Sequence, residues 1–100
     1  MRMYNPPHPG IFLRELMSDN LTVAALAKHL GMTRANLSMI LNSRMGISAL
    51  VAIKLSEAFP TWDAEFWLGL QAQYDIAKVL RRQRTKIAPL RKPAKMKMAA

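Results

Sequence analysis

The chain of 100 residues contains no cysteine. Disulfide staples and thiolate metal sites are therefore excluded, and the composition suits a reducing compartment, so a cytoplasmic location is expected. Histidine occurs only at His8 and His29, without acidic neighbours at ligand spacing, so no metal site is expected. Glycine is scarce, and there is neither a glycine-rich phosphate loop nor a nucleophile motif. An enzyme is not expected, and no cofactor is implied. No apolar run approaches the ~20 residues that span a membrane. The opening MRMYNPPHPG lacks the apolar stretch of a secretory leader.

Acidic residues are also few, six against fifteen Lys and Arg, for a formal net charge of +9. The imbalance is local. Residues 1–80 carry seven basic and six acidic side chains, whereas residues 81–100 carry eight basic ones and no acid. The body is thus nearly neutral, and any affinity for nucleic acid must be argued from particular residues rather than from overall charge.

What the chain has is helix-forming material. Leu, Ala and Met outweigh Val and Ile, which favours helix because unbranched side chains lose little rotamer freedom there. Pro6, Pro7 and Pro9 keep the first residues irregular, and Pro9 suits a first helical turn. Apolar spacing predicts helices over about 10–18, 23–30, 34–41, 49–59 and 64–82. Ile11, Leu13, Leu16 and Met17 form the apolar side of the first. Thr22, Thr33, Ser48 and Asp63 are the expected N-caps, and Gly31 the left-handed C-terminal residue of the second helix. The expected fold is all-α, a five-helix domain over 1–82, with a basic, flexible tail over 83–100.

The stretch VAALAKHLGMTRANLSMILN (23–42) joins two short helices by a glycine turn, a helix-turn-helix unit. Leu37 and Ile40 should bury against Leu26 and Leu30. Arg34, Ala35, Asn36, Ser38 and Met39 then face outward, short or polar with one charge, as a helix entering the DNA major groove requires. Arg34 can fork onto guanine or hold a phosphate, and Asn36 can pair with adenine. Ala35 and Met39 can touch thymine methyls, and Thr33 and Ser38 can bond phosphate or base edges. Asn42 and Arg44 should reach phosphates, as should Thr22 at its helix N-terminus. The alternative is a solvated face on a helix pair that meets no nucleic acid.

The fifth helix is apolar over most of its circumference. Phe66, Trp67, Leu70, Tyr74, Ala77 and Leu80 form one side, and Leu68, Ala72, Ile76 and Val79 a second. Gln71, Asp75, Lys78 and Arg82 leave a narrow polar strip. Such a helix is covered on both sides, here by its own core and by a second copy, so a homodimer through Leu68, Ala72, Ile76 and Val79 is expected. His8 is expected to fix the approach into the first helix and His29 to lie on a solvated side. Trp62 and Trp67 are packing residues, and Asp63 with Glu65 marks a helix start rather than a carboxylate pair.

Four segments carry a family resemblance: PPHPGIFLREL, LAKHLGMTRANLSMILN, GISALVAIKLSEAF and WLGLQAQYDI, together spanning about residues 6–76. Through them the chain resembles the HigA-type antitoxins of the Cro/cI-like, XRE-type helix-turn-helix group. Lys54 departs from the arginine common there, and the tail is not part of the pattern. The resemblance implies a homodimer on operator DNA overlapping its own promoter, and a RelE/HigB-like mRNA-cleaving toxin as partner. Two other readings remain at this point: a stand-alone repressor without a toxin, and a protein-interaction module that binds no DNA. The tail has three readings: a solvated extension, an arm on DNA phosphates, or a contact to the toxin.

Overall fold

The computed structural model describes residues 5–18, 20–82 and 84–90. Five helices follow one another: α1 (Pro9–Leu16), α2 (Val23–Leu30), α3 (Arg34–Leu41), α4 (Ala49–Ala58) and α5 (Ala64–Arg81). No strand occurs among the described residues. Each helix starts on a side-chain cap that satisfies a free backbone N–H. His8 Nδ1 accepts from Gly10 N–H at 2.9 Å. Thr22 and Thr33 Oγ1 accept from Ala25 and Asn36 at 3.1 and 3.0 Å. Ser48 accepts from Val51 at 3.2 Å and Asp63 from Phe66 at 2.8 Å.

Apolar residues at helical spacing then close one core. Leu13 of α1, Leu26, Ala27 and Leu30 of α2, and Leu37, Ile40 and Leu41 of α3 meet Ala52 and Leu55 of α4 and Trp67 of α5. Trp67 is fully buried. Phe12 stands edge-on to Trp62, Phe66 and Trp67, with ring centroids 5.2, 5.3 and 5.4 Å away, the arrangement that ring quadrupoles prefer. A close crossing anchors α1 on α3. A Cβ at Gly10 would overlap the Ile40 carbonyl oxygen and lie 2.8 Å from its carbon, so only glycine lets the two backbones meet there.

α2 and α3 have the expected bounds, and α1, α4 and α5 differ from theirs by one or two residues, as frayed ends do. Two apolar residues lie elsewhere than expected. Ile11, expected on the apolar side of α1, is exposed because α1 rests on α3 and α5 through the face holding Gly10 and Leu13. Leu80 is exposed because α5 continues beyond the core, whose last α5 side chain is Ala77. Residues 84–90 carry neither helix nor strand and are exposed. The remainder of the tail, Gln83 and residues 91–100, lies outside the described residues.

Candidate nucleic-acid interface

The α2–α3 unit is built by its turn. Gly31 has φ 67 and ψ 39, the left-handed conformation that a Cβ disfavours. It sends Met32 N–H back to the Ala27 carbonyl at 3.0 Å and its own N–H to Lys28 at 3.2 Å, closing the end of α2. Lys54 Nζ, from α4, reaches the Gly31 carbonyl at 3.4 Å. Thr33 begins α3 only two residues later.

On α3, Leu37, Ile40 and Leu41 are buried in the core with Leu26 and Leu30. Arg34, Ala35, Asn36 and Met39 are exposed, and Ser38 is half-buried. Thr22, Thr33, Asn42 and Arg44 are exposed around them. The two threonines cap through an oxygen lone pair, so each hydroxyl proton remains available to an acceptor such as a phosphate.

The far end of α3 leaves four carbonyls to satisfy, and all four have partners. Asn42 N–H bonds Ser38, Arg44 N–H bonds Met39, and Ser43 N–H bonds Ile40, at 3.0, 2.8 and 3.0 Å. Ser43 occupies the left-handed position of this cap at φ 60, where glycine is usual. The fourth carbonyl, Leu41, accepts from Arg14 Nη2 of α1 at 3.2 Å. The same Nη2 donates to Asn42 Oδ1 at 3.1 Å, and Asn42 Nδ2 lies 3.4 Å from Ser38 Oγ.

Three residues that position this site went unnoticed in the sequence. Arg14 and Gln71 meet partners 24 or more residues away, which no local pattern marks. Gln71, in the narrow polar strip of α5, accepts from Ile47 N–H at 2.9 Å and so ties the segment after α3 to α5. Gly10 did carry a cue, since glycine in a first helical turn is costly without a close approach to justify it. His8 is buried edge-on to Tyr74, with ring centroids 4.8 Å apart. Burial holds its pKa below the ordinary imidazole value, against the opposing influence of Asp75 and the Met45 carbonyl. His29 is exposed. Among the described residues, no group of three or more His, Asp and Glu could hold a metal, and no helix is long and apolar enough to cross a membrane.

A second surface lies on the outer side of α5. Ala72, Ile76 and Val79 are exposed there and Leu68 is half-buried. Ile76, Val79 and Leu80 line a shallow apolar hollow with Asp75 at its edge. Leu50 and Ile53 on α4 are exposed as well.

Residues 13–61 match the family model described as "Helix-turn-helix". The chain is 45% identical over 96 residues to virulence-associated protein A′ of Dichelobacter nodosus, covering 95% of this chain and 84% of that one. It is similar to an addiction module antidote protein of a HigA family from Coxiella burnetii, with 38% identity and a TM-score of 0.73, over 77% of this chain and 85% of that one. The Pseudomonas aeruginosa antitoxin HigA, solved with the higBA promoter, is also 38% identical, with a TM-score of 0.69, over 75% and 83% of the two chains.

Proposed function

The chain belongs to the helix-turn-helix family of HigA- and GraA-type antitoxins, and from that premise we propose that it binds its own operator as a homodimer and neutralises a cognate toxin. The observation that carries this reading is the outer face of α3. It is slim, holds a single charge at Arg34, and stands clear of the core on a capped glycine turn. A major groove about 12 Å wide admits such a helix, whereas bulky side chains would hold it out. Related antitoxins have been solved with promoter or operator DNA, which supports the same use here.

In this proposal Arg34, Asn36 and Ser38 meet base edges, and Ala35 and Met39 meet thymine methyls. Thr22, Thr33, Asn42 and Arg44 hold phosphates. Residues 1–82 form the DNA-binding domain, with α5 as its dimerisation helix through Leu68, Ala72, Ile76 and Val79, and residues 83–100 form a basic arm. A two-fold dimer would place its two α3 helices about 34 Å apart, one duplex turn, on a near-palindromic site. Binding there would repress the operon. The toxin is proposed to be a small RelE/HigB-like mRNA-cleaving protein.

A gel shift with the protein's own upstream DNA at physiological salt tests the DNA half. Arg34→Ala or Asn36→Ala should each cost about 1–3 kcal/mol on the operator and far less on random DNA. Equal losses on both duplexes would remove these residues from base reading. Co-expression with the adjacent short reading frame tests the toxin half: co-purification and rescue of growth are expected, and neither would occur for a stand-alone repressor.

A further inference from the structure

Arginine can only donate hydrogen bonds, and this fixes the direction of every bond that follows from Arg14. Because Nη2 of Arg14 meets Asn42 Oδ1 at 3.1 Å, the Asn42 oxygen must face α1 and its NH₂ must face the other way. That NH₂ lies 3.4 Å from Ser38 Oγ and donates to it. With one of its two lone pairs so occupied, Ser38 Oγ keeps its proton and a single lone pair for other partners. We propose that Arg14, Asn42 and Ser38 form an oriented relay that biases Ser38 toward donating a hydrogen bond to the DNA. Ser38 would then read a base acceptor, guanine N7 or O6 or thymine O4, in preference to the amino group of cytosine or adenine. This rests on the reading of α3 as the groove-entering helix.

The relay also removes an electrostatic obstacle. The C-terminal end of a helix carries partial negative charge, which repels phosphate. Arg14 places a full positive charge on the Leu41 carbonyl, the last of α3, at 3.2 Å. Its remaining N–H groups, and the second proton of the Asn42 amide, offer only donors at that end of the helix. Arg14 is a positioning residue in this scheme: it acts on the base through Asn42 and Ser38.

Asn42→Asp tests the polarity directly. An aspartate accepts from Arg14 as the amide oxygen does, so the tether to α1 is retained. It also accepts from the Ser38 hydroxyl, which occupies that proton and leaves Ser38 only lone pairs to offer. The experiment measures full-length protein against operator duplexes varied one base pair at a time, with a random duplex as reference and thermal unfolding recorded for each variant. The added negative charge weakens binding to every duplex alike, so the readout is the ratio between duplexes. Asn42→Asp should unfold near the wild-type temperature, the Arg14 ion pair offsetting the repulsion from the end of α3. At one base pair of each half-site the preference should move toward cytosine or adenine facing α3, by about tenfold in the ratio. Arg14→Met, which frees the amide to flip, should flatten the preference at that same base pair and leave the others in place.

An Asn42→Asp variant weakened by one common factor on every duplex would overturn the proposal. So would a Ser38→Ala variant with unchanged preference at every position. If Arg34→Ala and Asn36→Ala still show operator-specific losses in that case, only the relay is wrong. A wild-type protein that does not distinguish operator from random DNA would sink both the relay and the reading beneath it.

Discussion

Replacing Gly10 by alanine puts the largest structural demand on the smallest chemical change. The added Cβ would overlap the Ile40 carbonyl oxygen, and would sit 2.8 Å from the Ile40 carbonyl carbon and 3.1 Å from His8 Nδ1. Two of these neighbours are backbone and the third is a capping ring, so no rotamer change relieves the overlap. Helix α1 must lift from α3 by about 1 Å, enough to forfeit roughly a quarter to a half of the dispersion attraction across the gap. Overpacking of this kind costs about 1–3 kcal/mol, and disturbing the His8 cap adds about 1 kcal/mol. Alanine recovers about 1 kcal/mol over glycine by helix propensity. The clash therefore wins, with a net loss of about 2 kcal/mol, or roughly 8–16 °C in Tm for a domain of this size. Gly31→Ala is the control. There the only nearby atom is Lys54 Nζ at 3.9 Å, so its cost, about 1–2 kcal/mol, comes from the left-handed backbone alone. Urea and thermal unfolding of both variants decide the matter. A Gly10→Ala protein as stable as wild type or more so would refute the close crossing of α1 on α3.

Three further outcomes follow from other positions. Ser43→Gly, at φ 60, should raise stability by about 0.5–1 kcal/mol, seen as a higher urea midpoint with unchanged slope, whereas Ser43→Ala should not. His8 stays neutral in the fold because Nδ1 accepts from Gly10 and burial lowers its pKa, while in the unfolded chain it titrates near 6.5. Below that pH the unfolded chain takes up a proton that the folded chain refuses. Stability should be level above about pH 6.5 and fall as the pH drops below it, by at most about 1.4 kcal/mol per unit, until the folded pKa is reached. His8→Asn, which caps without titrating, should abolish that fall. Deleting residues 83–100 should flatten the dependence of log K on log salt by about 0.9 for each phosphate the tail holds, with operator preference intact. An unchanged slope would take the tail off the DNA.

Features with short-range causes were readable in the sequence. The caps at Thr22, Thr33, Ser48 and Asp63 act on an N–H three residues on, and Gly31 stands at the end of the helix it closes. Apolar spacing marked which residues of α3 face inward, since Leu37, Ile40 and Leu41 share one stripe. Spacing defines a stripe but not its partner, so it could not place Ile11, which lies off the face of α1 that rests on α3 and α5, or Leu80, which lies beyond the last α5 side chain of the core. Arg14 to Leu41 and Asn42, Gln71 to Ile47, and Gly10 against Ile40 depend on how helices distant in sequence cross. The left-handed Ser43 was hidden for another reason: it stands where glycine would have announced the cap.

Among the described residues, α1 is the one helix whose backbone packs closely on both α3 and α5. It therefore works as a strut between the proposed reading edge and the proposed pairing edge of each copy. A substitution that tilts the strut would leave every base-facing side chain untouched and change instead the gap at which two copies fit one duplex. Variants of α1 should then favour sites with the same letters and a different number of base pairs between the halves.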